Sequence, residues 1–435
     1  MPPPGHERRP ARRVLVVGAN GFLAGFVIAA LREAGCEVVR GIRTDGRAVA
    51  ADARRCDLAR MQAPADWREA LRGIDAVVNA AGILRETGRQ TFDAVHVAGP
   101  LALARACVDA GVRRFVQLSA LGDPADGGFI ASKHAFDAAL LTLPLQAVVL
   151  RPSVVYATTG AYGGTSLLRA LAALPLAQWL PGDGRWPLQP VAAQDLGALA
   201  ARALDVAPGL YDIGGPAPLR LRDYQSQWRQ WLRIPGRAAV RVPEGLVSLQ
   251  VALFERVGRG PVGMTMWRML RRGNVLPAGA HERVRDAFGF APRALAQVLA
   301  TRPSQVQDRW HAQLYFVAPL LRAGLVAVWL LSAWAGFATP AGRIEAMVEG
   351  SALAGAAPVA LARGGAALDL LLGLWLASGR RPRAALVLMA ASVLGYTLAF
   401  GIALPSAWLD PLGGLAKNLA VLPAIMAAWV LADRR

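Results

Sequence analysis

With 435 residues, 54% of them apolar, and a formal net charge of +18, the chain is too long for one core and too apolar for a disordered polymer, so two or three folding units are expected. Its 48 basic residues stand singly or in pairs, with no long basic face interleaved with aromatics, which argues against nucleic acid as a partner. Cys36, Cys56 and Cys107 are odd in number and lack Cys-x-x-Cys or Cys/His spacing, so neither a disulfide framework nor a metal site is expected.

The first 12 residues form a basic tail, and the apolar run that follows has the order of a signal peptide. Glycine spacing explains that run better. RRVLVVGANGFLAGFVIAALREAGCEVVRGIR reads as a strand over 14–17, a turn, an amphipathic helix over about 23–34 and a strand over about 37–42. Gly18 permits the tight turn, Gly21 lets the backbone approach a pyrophosphate at the helix N-terminus, and Ala24 lets helix and strand pack closely. A site for NAD carries an acid at the end of the second strand; Arg40 and Arg43 suit a 2′-phosphate instead, so NADP(H) is favoured, with NAD(H) as the alternative.

More strand–helix units follow, at Cys56-Asp57-Leu58 before a helix around 67–71, and in strands over 75–82, 113–122 and 145–156. This alternation predicts an α/β fold with a doubly wound parallel Rossmann sheet over 13–200. Asp57, Leu58 and the small-residue exit Ala80, Ala81, Gly82 then lie at strand ends, where a dinucleotide runs. Lys133 is one of only two lysines, the other being Lys417.

The ordered set GANGFLAG, NAAG, LSA, SKHAFD and RPSVVY resembles the extended or atypical short-chain dehydrogenase/reductases, of the NAD-dependent epimerase/dehydratase kind, over about 13–310. The resemblance implies a phosphate turn through Gly18, Asn20, Gly21, Phe22 and Leu23. It implies nucleotide contacts at Arg43, Asp57, Leu58, Ala80, Ala81 and Gly82. It makes Lys133 the ribose ligand and Ser119, or Ala120 in its place, the hydroxyl position that orients substrate. Phe129 stands where the family has its acid/base tyrosine, and loss of a general acid is worth about 10²- to 10⁴-fold in rate. His134, Tyr156 or Ser119 are other proton sources, although helix spacing turns His134 away from the face shared by Phe129 and Lys133. His96 reads as a core or helix-start residue.

Residues 201–312 form a substrate-side region and a linker to the membrane. Gln189, Asp195 and the Arg185–Trp186 pair are candidate substrate contacts, each with a loop or helix-cap role as the plainer explanation. PVGMTMWRMLRRGN, 261–274, interleaves Met and Trp with arginine. It either packs on the domain or lies on a membrane surface.

Beyond 312 the composition turns to Leu, Ala, Val, Gly and Trp, and four apolar runs, 314–337, 363–379, 384–404 and 415–432, predict a four-helix membrane domain over 313–435. Arg380 to Arg383 and Arg434–Arg435 place the C-terminus and the nucleotide domain in the cytoplasm, at a bacterial-type inner membrane. An Arg322–Asp369 pair is expected between the first two spans, and Lys417 is expected to snorkel. DLLLGLWL and LAKNLAVL resemble the DoxX-like family. The whole chain resembles bacterial fusions of a reductase-like domain to such a tail.

Two functions are expected. One is a membrane-attached NAD(P)(H)-dependent oxidoreductase or isomerase acting on a small lipophilic substrate, such as a quinone or isoprenoid. The other is a non-catalytic nucleotide-bound structural or sensing module, in the manner of the reductase-like accessory subunit of respiratory complex I. Membrane lipids, a membrane-complex partner or a second copy of the chain are the expected partners; few polar groups in the spans argue against a transporter.

Overall fold

The computed structural model describes residues 11–44, 50–236, 238–256, 263–409 and 414–433. The chain forms two compact units, Met1–Ala312 and Gln313–Arg435. Arg434 and Arg435, two of the arginines used to assign sidedness, lie outside the described residues, as does most of the basic tail.

The first unit is built on strands β1 (Arg13–Val17), β2 (Glu37–Ile42), β3 (Ala53–Arg55), β4 (Ala76–Asn79), β5 (Arg114–Leu118) and β6 (Gln146–Pro152). The strand Gly209–Ile213 completes one seven-stranded sheet, with the order (Gly209–Ile213)-β6-β5-β4-β1-β2-β3. Every pairing in it is parallel. Side chains alternate across the sheet. Val14 and Val16 join a core with Ala24, Val27 and Leu31 of helix α1 (Phe22–Glu33), whereas Leu15 and Val17 join the opposite core with Trp67, Leu103, Phe115 and Phe136. Both faces are covered, which explains why these strands read as continuous Val/Leu runs.

Helix α1 packs against the helix Ala193–Arg202 at Gly197, where a β-carbon would lie 2.6 Å from the Phe26 carbonyl oxygen. Because that neighbour is backbone, it cannot rotate away. Gly197→Ala is therefore expected to destabilise the unit by about 2 kcal/mol, read as a lowered thermal unfolding midpoint; an unchanged midpoint would show that the helices separate at little cost.

Among the described residues three helices are long and apolar enough to cross a membrane: Val306–Ala338, whose first residues belong to the first unit, Pro358–Ser378 and Pro382–Ala403. The expected fourth span is shorter. A 3₁₀ turn, Leu415–Lys417, precedes an α-helix limited to Asn418–Leu431, with Pro423 inside it. Those 14 residues rise about 21 Å against the roughly 30 Å of a hydrocarbon core. A short helix, Ala341–Val348, stands between the first two long ones and has no counterpart in the expected spans.

The expected Arg322–Asp369 pair is replaced by other contacts. Arg322 donates to the Leu376 carbonyl, in the last turn of Pro358–Ser378, while Asp369 accepts from Ser332 Oγ at 2.6 Å. Leu376 is seven residues beyond Asp369, about 10 Å along the helix. The carbonyls at a helix C-terminus attract a cation without requiring a carboxylate.

Candidate functional site

In the first unit the strand order reverses between β1 and β4, so their C-terminal ends bound a crevice of the kind that takes a dinucleotide in doubly wound sheets. After β1 the chain turns at Gly18, with φ of +79°, a region that disfavours other residues. A β-carbon there would lie 2.7 Å from Ala81 Cα, so the turns after β1 and β4 touch. The Gly18 and Ala19 amides donate to the Gly41 carbonyl, Gly21 N donates to Gly18 O at 2.8 Å, and Gly21 then precedes α1. Asn20, Gly21, Phe22 and Leu23 thus occupy the helix N-terminus, where unpaired backbone amides favour phosphate.

The β4 exit is held by its own side chains. Ala80 N donates to Val17 O at 3.0 Å, Ala81 N to Asn79 Oδ1 at 3.2 Å, and Asn79 Nδ2 to Gln117 Oε1 at 2.8 Å. A β-carbon on Gly82 would lie 3.3 Å from Lys133 Nζ and 3.5 Å from His96 Nε2, so this glycine keeps space open between the two side chains. At the end of β3, Asp57 Oδ1 accepts from Ala59 N at 3.1 Å and Leu58 is buried, its carbonyl close against Gly99.

Lys133, on the helix Gly128–Leu141, is buried and donates to the Leu118 carbonyl at 3.1 Å, an arrangement that leaves donor capacity on its ammonium. Burial lowers it from the ordinary 10.5 to about 8, opposed by Asp137. The Phe129 ring centroid lies 6.0 Å from Lys133 Nζ. That ring packs edge-on against His96 and Phe92.

His96 is more closely tied to this place than its sequence context suggests. Its Nε2 accepts from Ile83 N at 3.0 Å, so Nδ1 carries the proton and donates to Ser132 Oγ at 2.9 Å; that hydroxyl donates to Phe129 O. Burial, then the Lys133 charge, lowers its pKa to about 3. His96 is a neutral pin for the loop after β4, and protonating Nε2 would break the Ile83 bond.

Several expected site residues have other duties. Ser119 Oγ donates to the buried Asp137 Oδ2 at 2.7 Å, an oxygen that also accepts from Arg151 Nε, so the serine hydroxyl satisfies a buried carboxylate. His134 bonds the Ala120 carbonyl, away from Phe129 as its helix position requires. Tyr156 is buried against Trp228, and burial pushes its hydroxyl pKa up. Arg40 makes a two-bond pair with Asp52. Arg43, one residue past β2, is exposed and makes no ion pair among the described residues. Gln189 bonds Gly215 O and Leu276 N, and Trp186 packs on Trp267. Trp267 is itself buried, so the helix Met264–Arg272 packs onto the unit, while 261–262 of that stretch lie outside the described residues.

Asp195 receives four hydrogen bonds from Arg293, the shortest 2.6 Å from Nη2. Its side chain is 3% exposed against 42% for Arg293. Arg293→Met is accordingly expected to destabilise the unit by about 2 kcal/mol, the buried-pair value discounted for the exposed arginine. Urea denaturation checks this, and an unchanged midpoint would show Asp195 reaching water instead.

The rest of the mouth had no sequence signal, because its parts are far apart along the chain. Phe22 stacks on Tyr162 at 5.6 Å, Gly160 faces the Phe22 ring, Gly163 faces Leu84, and Gly164 faces Met266. These four contacts are apolar.

Fold and site together define a doubly wound, Rossmann-like parallel sheet with a crevice at its strand-order reversal, followed in the chain by helices long and apolar enough to cross a membrane. Residues 14–174 match the NAD dependent epimerase/dehydratase family, and residues 326–426 match the DoxX-like family. The chain thus joins an epimerase/dehydratase-type domain to a DoxX-like one. Among solved structures it is similar to the UDP-glucose 4-epimerase of Thermotoga maritima with UDP-glucose, at 15% identity over 66% of this chain and 96% of that one, TM-score 0.50. The gox2253 structure matches at 21% identity over 66% and 95%, TM-score 0.50. The Thermus thermophilus UDP-glucose 4-epimerase with NAD matches at 20% identity over 60% and 100%, TM-score 0.44. The two likenesses at a TM-score of 0.50 show the fold alone. No curated protein matches the chain.

Proposed function

We propose that this chain is a membrane-anchored, NADP(H)-binding oxidoreductase or isomerase that acts on a small lipophilic molecule. The observation that carries the reading is the buried Lys133 ammonium beside the open space at Gly82, at the strand-order reversal. Donors and space fit a dinucleotide. Gly18, Asn20, Gly21, Phe22 and Leu23 would hold the pyrophosphate, Asp57 and Leu58 the adenine side, Ala80 to Gly82 the path between, and Lys133 the ribose hydroxyls. When bound, the nicotinamide supplies hydride transfer. The apolar contacts around Phe22 and Tyr162 support a lipophilic substrate, and the apolar helices support a bilayer as its source. The arginines Arg380, Arg381 and Arg383 support a cytoplasmic nucleotide domain at an inner membrane.

Arg43 supports NADP(H) over NAD(H) because it is exposed just beyond β2 without a carboxylate among the described residues, whereas Arg40 is engaged by Asp52. Arg43→Glu is expected to weaken NADPH roughly tenfold to a hundredfold, with NADH little changed. Equal effects on both nucleotides in a fluorescence titration would remove Arg43 from the 2′-phosphate.

A second reading, a nucleotide-bound module without turnover, is favoured by Phe129 together with the engaged Ser119 and the neutral His96. NADPH oxidation by the detergent-purified full chain, with membrane quinones and lipid extract, separates the two. Turnover by the wild type supports the enzyme. Turnover only after Phe129→Tyr, or none while nucleotide stays bound, supports the module.

A further inference from the structure

We propose that the helix Glu244–Arg256 docks on the surface of a phospholipid bilayer through Leu246, Leu249 and Leu253. The three lie at i, i+3 and i+7, on one stripe of the helix, and are 56%, 66% and 58% exposed. The opposite stripe is already used within the chain. Val251 is buried in the core around Trp228, Trp231 and Trp267, with Val247 packed against it, and Ser248 Oγ accepts from Trp267 Nε1 at 2.9 Å. The helix is therefore apolar on both sides, with one side unpartnered among the described residues. The strand that leads into it, Ala238–Val242, pairs in parallel with Ala177–Pro181. Val240 and Trp179 are register partners on one face of that pair, and both are exposed.

Chain continuity and charge select lipid as the occupant. The same unit runs at Val306 into a 33-residue apolar helix, so this surface is tethered to any bilayer that helix crosses. Residues 233–272 hold eight arginines against two glutamates. Arg233, Arg241, Arg256, Arg268 and Arg271 are exposed. Such a field complements anionic headgroups and repels a second copy of itself.

The docking helix packs against Met264–Arg272. That neighbour sets Thr265 against Gly127 and Met266 against Gly164, at the starts of the helices Gly128–Leu141 and Gly163–Ala172. Lipid contact would thus lie one helix away from the mouth, deepening the proposal of a lipophilic substrate. The docking itself rests on residues 313–435 spanning a bilayer and not on nucleotide binding.

The test uses the full chain with Cys36→Ser, reconstituted into nanodiscs of phosphatidylcholine and phosphatidylglycerol and spin-labelled at one cysteine at a time. Leu249→Cys and Leu253→Cys report the docking face. Leu371→Cys, exposed on Pro358–Ser378, is the lipid reference, and Arg72→Cys, exposed on the first unit, is the water reference. Power saturation should show the two leucine positions open to oxygen and shielded from a water-soluble nickel chelate, as at Leu371, with Arg72 the reverse. Nickel access at 249 and 253 with Leu371 in lipid overturns the docking alone. A water-exposed Leu371 overturns the bilayer premise and the docking with it. Spin–spin broadening at 249 that vanishes on dilution with unlabelled chain assigns the face to a second copy, which also overturns the proposal.

Discussion

Lys133→Ala is expected to weaken NADPH binding by roughly 10²- to 10⁴-fold, the loss of two hydrogen bonds from a charged donor. Burial lowers the Lys133 ammonium from 10.5 to about 8, so folding the charged form is costly and an uncharged residue relieves the cost. The sign of the pH dependence follows from the same shift. Between about pH 8 and 10.5 the unfolded chain holds a proton there that the folded one has released, so the Lys133 contribution to stability rises with pH through that window, while above about pH 9 the contribution of the Cys56 and Cys107 thiols, pushed up to about 12 by burial, falls. Lys133→Met keeps the bulk of the side chain and should remove the lysine contribution, so that the wild type gains stability relative to this variant as pH rises from about 8 to 10.5. Thermal midpoints across the window check this together with nucleotide titrations. A Lys133→Ala protein that binds as the wild type does would remove the lysine from the site, and parallel pH profiles of the wild type and Lys133→Met would contradict the lowered lysine pKa.

Gly18→Ala should produce the second large effect, about 4 kcal/mol of destabilisation with loss of nucleotide binding. A residue with a β-carbon at φ of +79° costs about 1–2 kcal/mol. The remainder comes from overlap with the loop after β4, where the added carbon would lie 2.7 Å from Ala81 Cα and 2.9 Å from Ala81 N. Relief requires separating the very loops that bound the crevice, so stability and binding should fall together. Gly25→Ala is the control, because a β-carbon there meets nothing within 4 Å. Equal midpoints for the Gly18 and Gly25 variants would show that the two loops move apart freely.

The α/β architecture was legible because its signals are local. Gly18, Gly21 and Ala24 fall on one turn, and Val14 to Val17 are continuously apolar because both sheet faces are covered. Lys133 was singled out by its rarity and by the SKHAFD motif in an ordered set, and it lies buried beside Gly82. What the sequence did not show were partners elsewhere. Ser119, or Ala120 in its place, was expected to orient substrate, and the Ser119 hydroxyl also donates to Asp137 eighteen residues on; Arg40 and Arg43 were expected to suit a 2′-phosphate, and Arg40 pairs with Asp52. Gln189, Asp195 and Trp186 hold segments of the unit together from 26 to 98 residues away. His96 was read as a core residue, which its burial supports, yet nothing nearby in sequence shows that its ring reaches Ile83 beside Lys133.

In the second unit, apolar composition located the helices but could not fix their lengths. The last one is shortened by the 3₁₀ turn at Leu415–Lys417. Arg322 and Asp369 were expected at similar depths, but the register between the two helices sets Arg322 beside Leu376 and Ser332 beside Asp369, about 10 Å apart along the helix. The leucine face of Glu244–Arg256 was missed for a different reason. A helix apolar on both sides shows no single stripe, and which side remains outside is decided by the packing of Trp267 and Val251.

The central claim is that the crevice between β1 and β4 binds a nicotinamide dinucleotide. Isothermal titration of the detergent-purified full chain with NADPH, and then with NADH in competition, tests it most directly. The account predicts one saturable site per chain, shared by both nucleotides and tighter for NADPH. Absence of binding by either would contradict it and would leave the glycine turn, Gly82 and Lys133 as architecture without a ligand.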